Sequence, residues 1–213
     1  YIRMIYFEGN YISKNVDKAI FYLKLAAELD DEEAQLKLGI IYCNDLYGKK
    51  DINKSIIYLT LAADKNNSKA QLYLGDIYFL EKSIKMDLEK AIFYYSLAAD
   101  KDEVDALTSL GCIYTSKFFN SKNSNKGIEF LTRAAKFNCP RAQNYLGDIY
   151  KKGELVQKDI NKAIYYYTLS SNQGNKRSLF ELGNFYYEGN EVIKKDVKKA
   201  IHYFNLAAEK NEP

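Results

Sequence analysis

The stretch Ala70-Gln71-Leu72-Tyr73-Leu74-Gly75-Asp76-Ile77-Tyr78 decides the fold, because its frame returns at a fixed interval along the chain. Upstream it reads Ala34, Leu38, Gly39 and Tyr42. Downstream it reads Ala106, Leu110, Gly111 and Tyr114, then Ala142, Leu146, Gly147 and Tyr150, and last Ser178, Leu182, Gly183 and Tyr186. The five glycines stand 36 residues apart without exception. A period of this size marks a repeat array, in which each unit buries its apolar face only against its neighbours, and such arrays serve binding more than catalysis.

Within the frame, positions i, i+4, i+5 and i+8 fall on one stripe of a helix, here called helix A. A mid-helix glycine costs about 1 kcal/mol against alanine. Its recurrence therefore predicts a crossing point where another backbone comes close. The Tyr42 position, fixed in every repeat, reads as core.

A second block begins at Asn15, Asp51, Asp87, Asn123, Asp159 and Asp196, short polar residues suited to accept from the exposed N–H groups of a helix start. These are expected N-caps of helix B. Three residues on comes Lys18, Lys54, Lys90, Lys126, Lys162 or Lys199. The helix dipole disfavours a cation there, so the expectation is a stem on apolar surface with its head in water. Next come a small residue (Ala19, Ser55, Ala91, Gly127, Ala163, Ala200) and an aromatic (Tyr22, Tyr58, Tyr94, Phe130, Tyr166, Tyr203). A small pair follows, from Ala26-Ala27 through Ser170-Ser171 to Ala207-Ala208. Each helix B then stops at Asp30, Asn66, Asp102, Asn138, Gly174 or Asn211, residue types that tolerate the left-handed conformation closing a helix. The acidic run Glu28 to Glu33 reads as a helix start satisfying its dipole.

These motifs resemble the Sel-one-like repeat family, a relative of the tetratricopeptide repeat. Its helix pair carries A-x-x-x-L-G-x-x-Y and then D-x-x-K-A-x-x-Y followed by A-A, and the match covers essentially the whole chain. The resemblance implies an all-α fold, a right-handed α-α superhelix of antiparallel helix pairs whose A helices line the concave face, and a role in assembling protein complexes. On this reading residues 1–213 form a single solenoid. It has a partial helix A at 1–9, helix pairs at about 15–44, 51–80, 87–116, 123–152 and 159–188, and a final helix B at 196–210. The family commonly has Gly three residues after the helix A Tyr. Gly9, Gly153 and Gly189 keep it, whereas Asp45, Glu81 and Lys117 do not, so different loop paths are expected there. Lys117 to Lys126, with Phe118 and Phe119, is the weakest junction, and one residue is inserted between Tyr186 and Asp196.

Composition narrows the function. Thirty-one basic and 28 acidic residues leave a net charge of +3 with both signs interspersed, which gives no phosphate-binding surface and disfavours nucleic acid. No run approaches the roughly 18 apolar residues of a membrane span. Cys43, Cys112 and Cys139 fit neither a disulfide framework nor a metal spacing, which favours a reducing, cytoplasmic setting. The single histidine, His202, falls at an exposed or half-buried helix B position, no nucleophile–base pair or phosphate loop is apparent, and neither an enzyme nor a cofactor is expected.

By analogy with the tetratricopeptide fold, the concave face comes from helix A positions around the Leu-Gly pair. Those singled out for partner binding are Tyr73, Asp76, Asn144, Tyr145, Asp148, Lys151, Asn184 and Tyr187. The same positions also place Leu72, Phe79, Leu80, Thr108, Ser109, Cys112, Thr115, Ser116, Lys152, Phe180, Glu181 and Glu188 on this face. Asp76, Asp148 and Asn184 share one position and, with Asn144, suit the backbone of an extended peptide, while the tyrosines give flat contacts. The preferred function is thus a scaffold or adaptor for a peptide or folded protein. The alternatives are the regulatory arm of a larger signalling or quality-control protein and, more weakly, one-base-per-repeat RNA binding. Tyr6 aligns with Tyr42, and Pro213 aligns with Pro140, so both ends are expected to lack polar caps, with further repeats beyond them or end-to-end self-association.

Overall fold

The structure is a computed structural model, and it describes residues 16–45, 48–116 and 121–209. The expectations at Gly9, Asn15, Phe118, Phe119 and Asn211, at both chain ends and for a helix at 1–9 lie outside the described residues. Among the described residues there are eleven helices: α1 Val16–Glu28, α2 Glu32–Cys43, α3 Ile52–Asp64, α4 Ser68–Leu80, α5 Leu88–Ala99, α6 Val104–Thr115, α7 Ser121–Lys136, α8 Pro140–Lys152, α9 Ile160–Asn172, α10 Lys176–Glu188 and α11 Val197–Glu209. The even-numbered helices are A helices and the odd-numbered ones B helices. Among the described residues there is no strand. The fold is an all-α array of antiparallel helix pairs, and the chain divides into two compact units, residues 1–106 and 107–213.

Side-chain caps set seven of the described helix starts. The side chains of Asp51, Asp87, Asp159 and Asp196 accept from the N–H of Lys54, Lys90, Lys162 and Lys199 at 2.9–3.0 Å, as expected of N-caps. Asn123 does not cap. Helix α7 begins at Ser121 and places it inside the first turn. The A helices have caps of their own, in which Asp31, Asn67 and Asn175 accept from the N–H of Ala34, Ala70 and Ser178 at 2.7–3.0 Å. Asp31 is the helix start read from the acidic run.

Helices α1, α3, α5, α7 and α9 stop as their residue types predict. Asp30, Asn66, Asp102, Asn138 and Gly174 all have positive φ, between 57° and 77°. The following N–H then reaches back to the first member of the small pair: Asp31 to Ala26, Asn67 to Ala62, Glu103 to Ala98, Cys139 to Ala134 and Asn175 to Ser170, at 3.1–3.2 Å. This bond from beyond the left-handed residue closes the last turn in each case.

The recurring glycine lies under a helix B side chain more than under a backbone. A Cβ on Gly39, Gly75, Gly111, Gly147 or Gly183 would come within 2.4–2.7 Å of Leu59, Tyr95, Leu131, Tyr167 or Phe204. Backbone approach is also present, since Ser55 Oγ donates to the Gly39 carbonyl at 2.8 Å and a Cβ on Gly127 would meet the Gly111 oxygen at 3.0 Å. Around each crossing Ala34, Ala70, Ala106, Ala142 and Ser178 are fully buried, as are Leu38, Leu74, Leu110 and Leu146.

The helix A tyrosine stacks on the helix B aromatic in five repeats: Tyr42 on Tyr58, Tyr78 on Tyr94, Tyr114 on Phe130, Tyr150 on Tyr166 and Tyr186 on Tyr203, with centroids 5.6–6.1 Å apart. Tyr42 is buried and the other four are half-buried. This pair also accounts for the lysine in the first turn of helix B. The ammonium groups of Lys54, Lys90, Lys126, Lys162 and Lys199 sit 5.0–5.6 Å over the helix A ring, and the first two and Lys162 also pair with their caps Asp51, Asp87 and Asp159. A cation–π contact and an ion pair offset the unfavourable dipole.

Loops between A and B helices diverge where the glycine is lost. Gly153 has φ 71° and ψ 17°, whereas Glu81 has φ −72° and ψ 120° and accepts from Ser83 N–H at 3.0 Å. The inserted residue before Asp196 is absorbed by Asn190, whose side chain accepts from Val192 and Ile193 N–H at 2.8 Å.

Candidate interaction surface

The position after the repeat glycine carries side-chain chemistry that alternates along the chain. In the second and fourth repeats it is an aspartate under a tyrosine: Tyr95 Oη donates to Asp76 Oδ1 at 2.8 Å and Tyr167 Oη to Asp148 Oδ1 at 2.6 Å. In the first and third repeats the corresponding pairs are Ile40 with Leu59 and Cys112 with Leu131, and in the fifth Asn184 with Phe204. Burial and the bond to Asp148 push the Tyr167 phenol far above its ordinary value.

Three of the residues singled out from the sequence tie helix α8 to α10. Asn144 Nδ2 donates to Ser178 Oγ at 2.9 Å, Arg177 donates to Asp148 Oδ2 at 2.6 Å, and Lys151 donates to Glu181 Oε2 at 2.5 Å. Asn144 is 6% exposed, so its side chain is spent on this tie. Asp148 and Lys151 are half-buried in the second unit. Asn184 is half-buried and Tyr187 exposed, with Lys195 Nζ 5.4 Å over its ring. In the first unit Tyr73 and Asp76 are both half-buried on α4.

The second unit brings Tyr145 and Asp148 together on a cavity of about 690 Å³, whose other walls include Cys112, Thr115, Lys152 and Arg177. Lys151 borders a different cavity, of about 760 Å³, with Phe185 and the loop around Asn190. Burial pushes the Cys112 thiol up, and Cys112 beside it, then burial, push the Tyr145 phenol up against the pull of Arg141 and Arg177. Both groups are protonated at neutral pH. They offer a flat, weakly polar surface, not a nucleophile.

Arg177 escaped the sequence reading. It precedes Ser178, the position held by Glu33, Lys69, Asp105 and Arg141 in the other repeats, and no constant residue type marks it. Also missed were Gln35, Gln71 and Gln143, buried residues whose Nε2 donates to the carbonyls of Ala27, Ala63 and Ala135 at 3.3–3.4 Å. Their recurrence beside the alanine was the available signal. His202 is exposed, and all three cysteines are free. Among the described residues no acidic, histidine or cysteine group is arranged to hold a metal, and no helix is long and apolar enough to cross a membrane.

Stacked helix pairs carrying a polar and aromatic surface on their A helices define a repeat protein of the scaffold class. The Sel1 repeat profile matches residues 4–31, 32–67, 68–103, 105–136, 140–175 and 176–212. The chain belongs to the Sel1 repeat family, a non-catalytic repeat scaffold whose members bind protein partners. It is similar to a Sel1 repeat protein from Oxalobacter formigenes, at 30% identity over 99% of this chain and 86% of that one, with a TM-score of 0.84. A protective antigen of uropathogenic Escherichia coli with an SLR fold shares the architecture at 23% identity and a TM-score of 0.57, over 99% of this chain and 53% of that one. A putative Sel1 repeat protein from Klebsiella pneumoniae does so at 20% identity and 0.56, over 89% and 92%. Comparison with curated proteins gives no match.

Proposed function

We propose that this chain is an adaptor that holds a peptide or an extended segment of a folded partner on the A-helix face, with the second unit's cavity at Tyr145 and Asp148 as its main contact. The cavity itself carries the reading: a volume of about 690 Å³ joins a flat half-buried ring to a fixed charge pair. That mixture of apolar wall and few oriented polar groups is the usual make-up of a ligand site. Lys151, Asn184 and Tyr187 extend the same face, and Tyr73 and Asp76 offer a second contact in the first unit. Asn144 contributes by holding α10 against α8.

The test is selection of a displayed random-peptide library on the purified chain, followed by Tyr145→Ala and Lys152→Trp, the second covering the cavity from an exposed position on its wall. Enriched peptides should bind the parent and fail on both variants, while helicity and melting stay the same. Failure to enrich any peptide, or equal binding by both variants, would refute the assignment.

A further inference from the structure

The two units carry sister versions of one cluster with opposite charge. The segments Ala70–Tyr78 and Ala142–Tyr150 differ only at Leu72 and Asn144, and both place a tyrosine, an aspartate and a bonding helix B tyrosine together. The next helix A then supplies Asp105 in the first unit but Arg177 in the second. Tyr73 accordingly stands in the field of Asp76 and Asp105, after burial and Cys43, whereas the charged groups acting on Tyr145 are Arg141 and Arg177.

Arg177 is built to receive an anion. One nitrogen bonds Asp148, which Tyr167 holds from the other side, so the guanidinium is oriented before any ligand arrives. Its side chain nevertheless remains 60% exposed while that of Asp148 is 13% exposed, leaving other N–H donors of the fork facing solvent on the cavity wall. Lys152 stands on the same wall, and the acidic lining is limited to Asp148, already neutralised, and Glu154.

We propose that the second unit's cavity takes an acidic side chain of an extended peptide, with Arg177 reading the carboxylate and Tyr145 lying against the peptide beside it. This rests on the adaptor reading above and specifies its ligand chemistry. Arg177 and Lys152 face Asp148 and Glu154, so the lining is charge-balanced and suits a single carboxylate met by the outer N–H groups of the Arg177 fork, whereas a polyanion such as RNA needs a longer basic track.

The experiment uses the full chain and a set of N-acetylated, C-amidated peptides from the selected consensus, each made with Glu, Gln or Lys at every position in turn. One position should favour Glu over Gln by about tenfold, the size of a charge-assisted hydrogen bond, and the preference should shrink in high salt. Arg177→Gln should abolish it, and Arg177→Asp, which installs the first unit's charge, should turn it toward Lys. Because Arg177 is largely exposed, these variants are expected to fold, and melting curves check that. Peptides that bind with no Glu preference, or with one indifferent to Arg177→Gln, overturn this proposal and leave the adaptor reading standing. Absence of peptide binding overturns both. Poly(U) binding lost in Arg177→Gln would reassign the site to nucleic acid.

Discussion

Tyr167 donates its hydroxyl proton to Asp148 at 2.6 Å while lying directly over Gly147, so one helix B side chain both covers the crossing and orients the surface carboxylate. Where this pair stands, the first repeat has Leu59 and Ile40. Asp148→Ile orphans a buried hydroxyl and Tyr167→Leu strips a partner from a carboxylate, each at about 1.5–3 kcal/mol. The double variant recreates the first repeat's apolar pair. Urea denaturation should find its cost about 1 kcal/mol below the sum of the singles. Strict additivity would mean that the bond carries no coupling.

Gly147→Ala and Gly75→Ala should lower Tm. The new methyl would sit 2.7 Å from the Tyr167 ring and 2.5 Å from the Tyr95 ring, and a ring buried in a helix seam has no room to withdraw. Overpacking of about 1–3 kcal/mol exceeds the roughly 1 kcal/mol that alanine gains in helix propensity. A melting temperature equal to or above the parent's would show that the seam is looser than these distances imply.

Alkaline pH should unfold the second unit through Tyr167. Its phenol is raised by burial first and by the bond to Asp148 second. An unfolded tyrosine ionises near pH 10, so between that value and the higher folded one the unfolded chain has released a proton that the folded chain retains. The contribution is therefore complete below about pH 10 and lost as pH climbs past it. Stability measured from pH 8 to pH 11 should fall, and Tyr167→Phe should flatten the decline. An unchanged slope in that variant would assign the loss to other groups.

What was legible in the sequence is what one backbone geometry demands of one residue type. Asp51 and Asp87 cap because the helix start exposes N–H groups, and Asn66 and Asp102 end helices because the backbone there turns left-handed. Asn123 misled because a short polar residue is also tolerated within the first turn of a helix, and α7 starts earlier, at Ser121. The candidate surface was harder. Asp148 and Lys151 were visible as polar positions on a face, but their partners Arg177 and Glu181 come from the next helix A and occur in that combination once. A pattern found in one repeat leaves no periodic signal. The lysine at the third position of helix B was periodic and still opaque, since the ring beneath it belongs to the preceding helix.

That lysine gives a test of which attraction holds it. Lys162 lies 5.0 Å over the Tyr150 ring and 3.7 Å from Asp159, and the two contacts respond differently to substitution. Asp159→Asn keeps a capping oxygen and removes the ion pair, which for an exposed i, i+3 pair should cost under about 0.5 kcal/mol and vanish in high salt. Lys162→Met keeps the stem and removes both contacts. If the ring contact dominates, Lys162→Met costs about 0.5–1 kcal/mol, exceeds Asp159→Asn, and keeps most of that difference in 1 M salt. Denaturation curves of the two variants at low and high salt decide it, and equal effects that disappear together in salt would reduce the lysine to an ordinary surface ion pair.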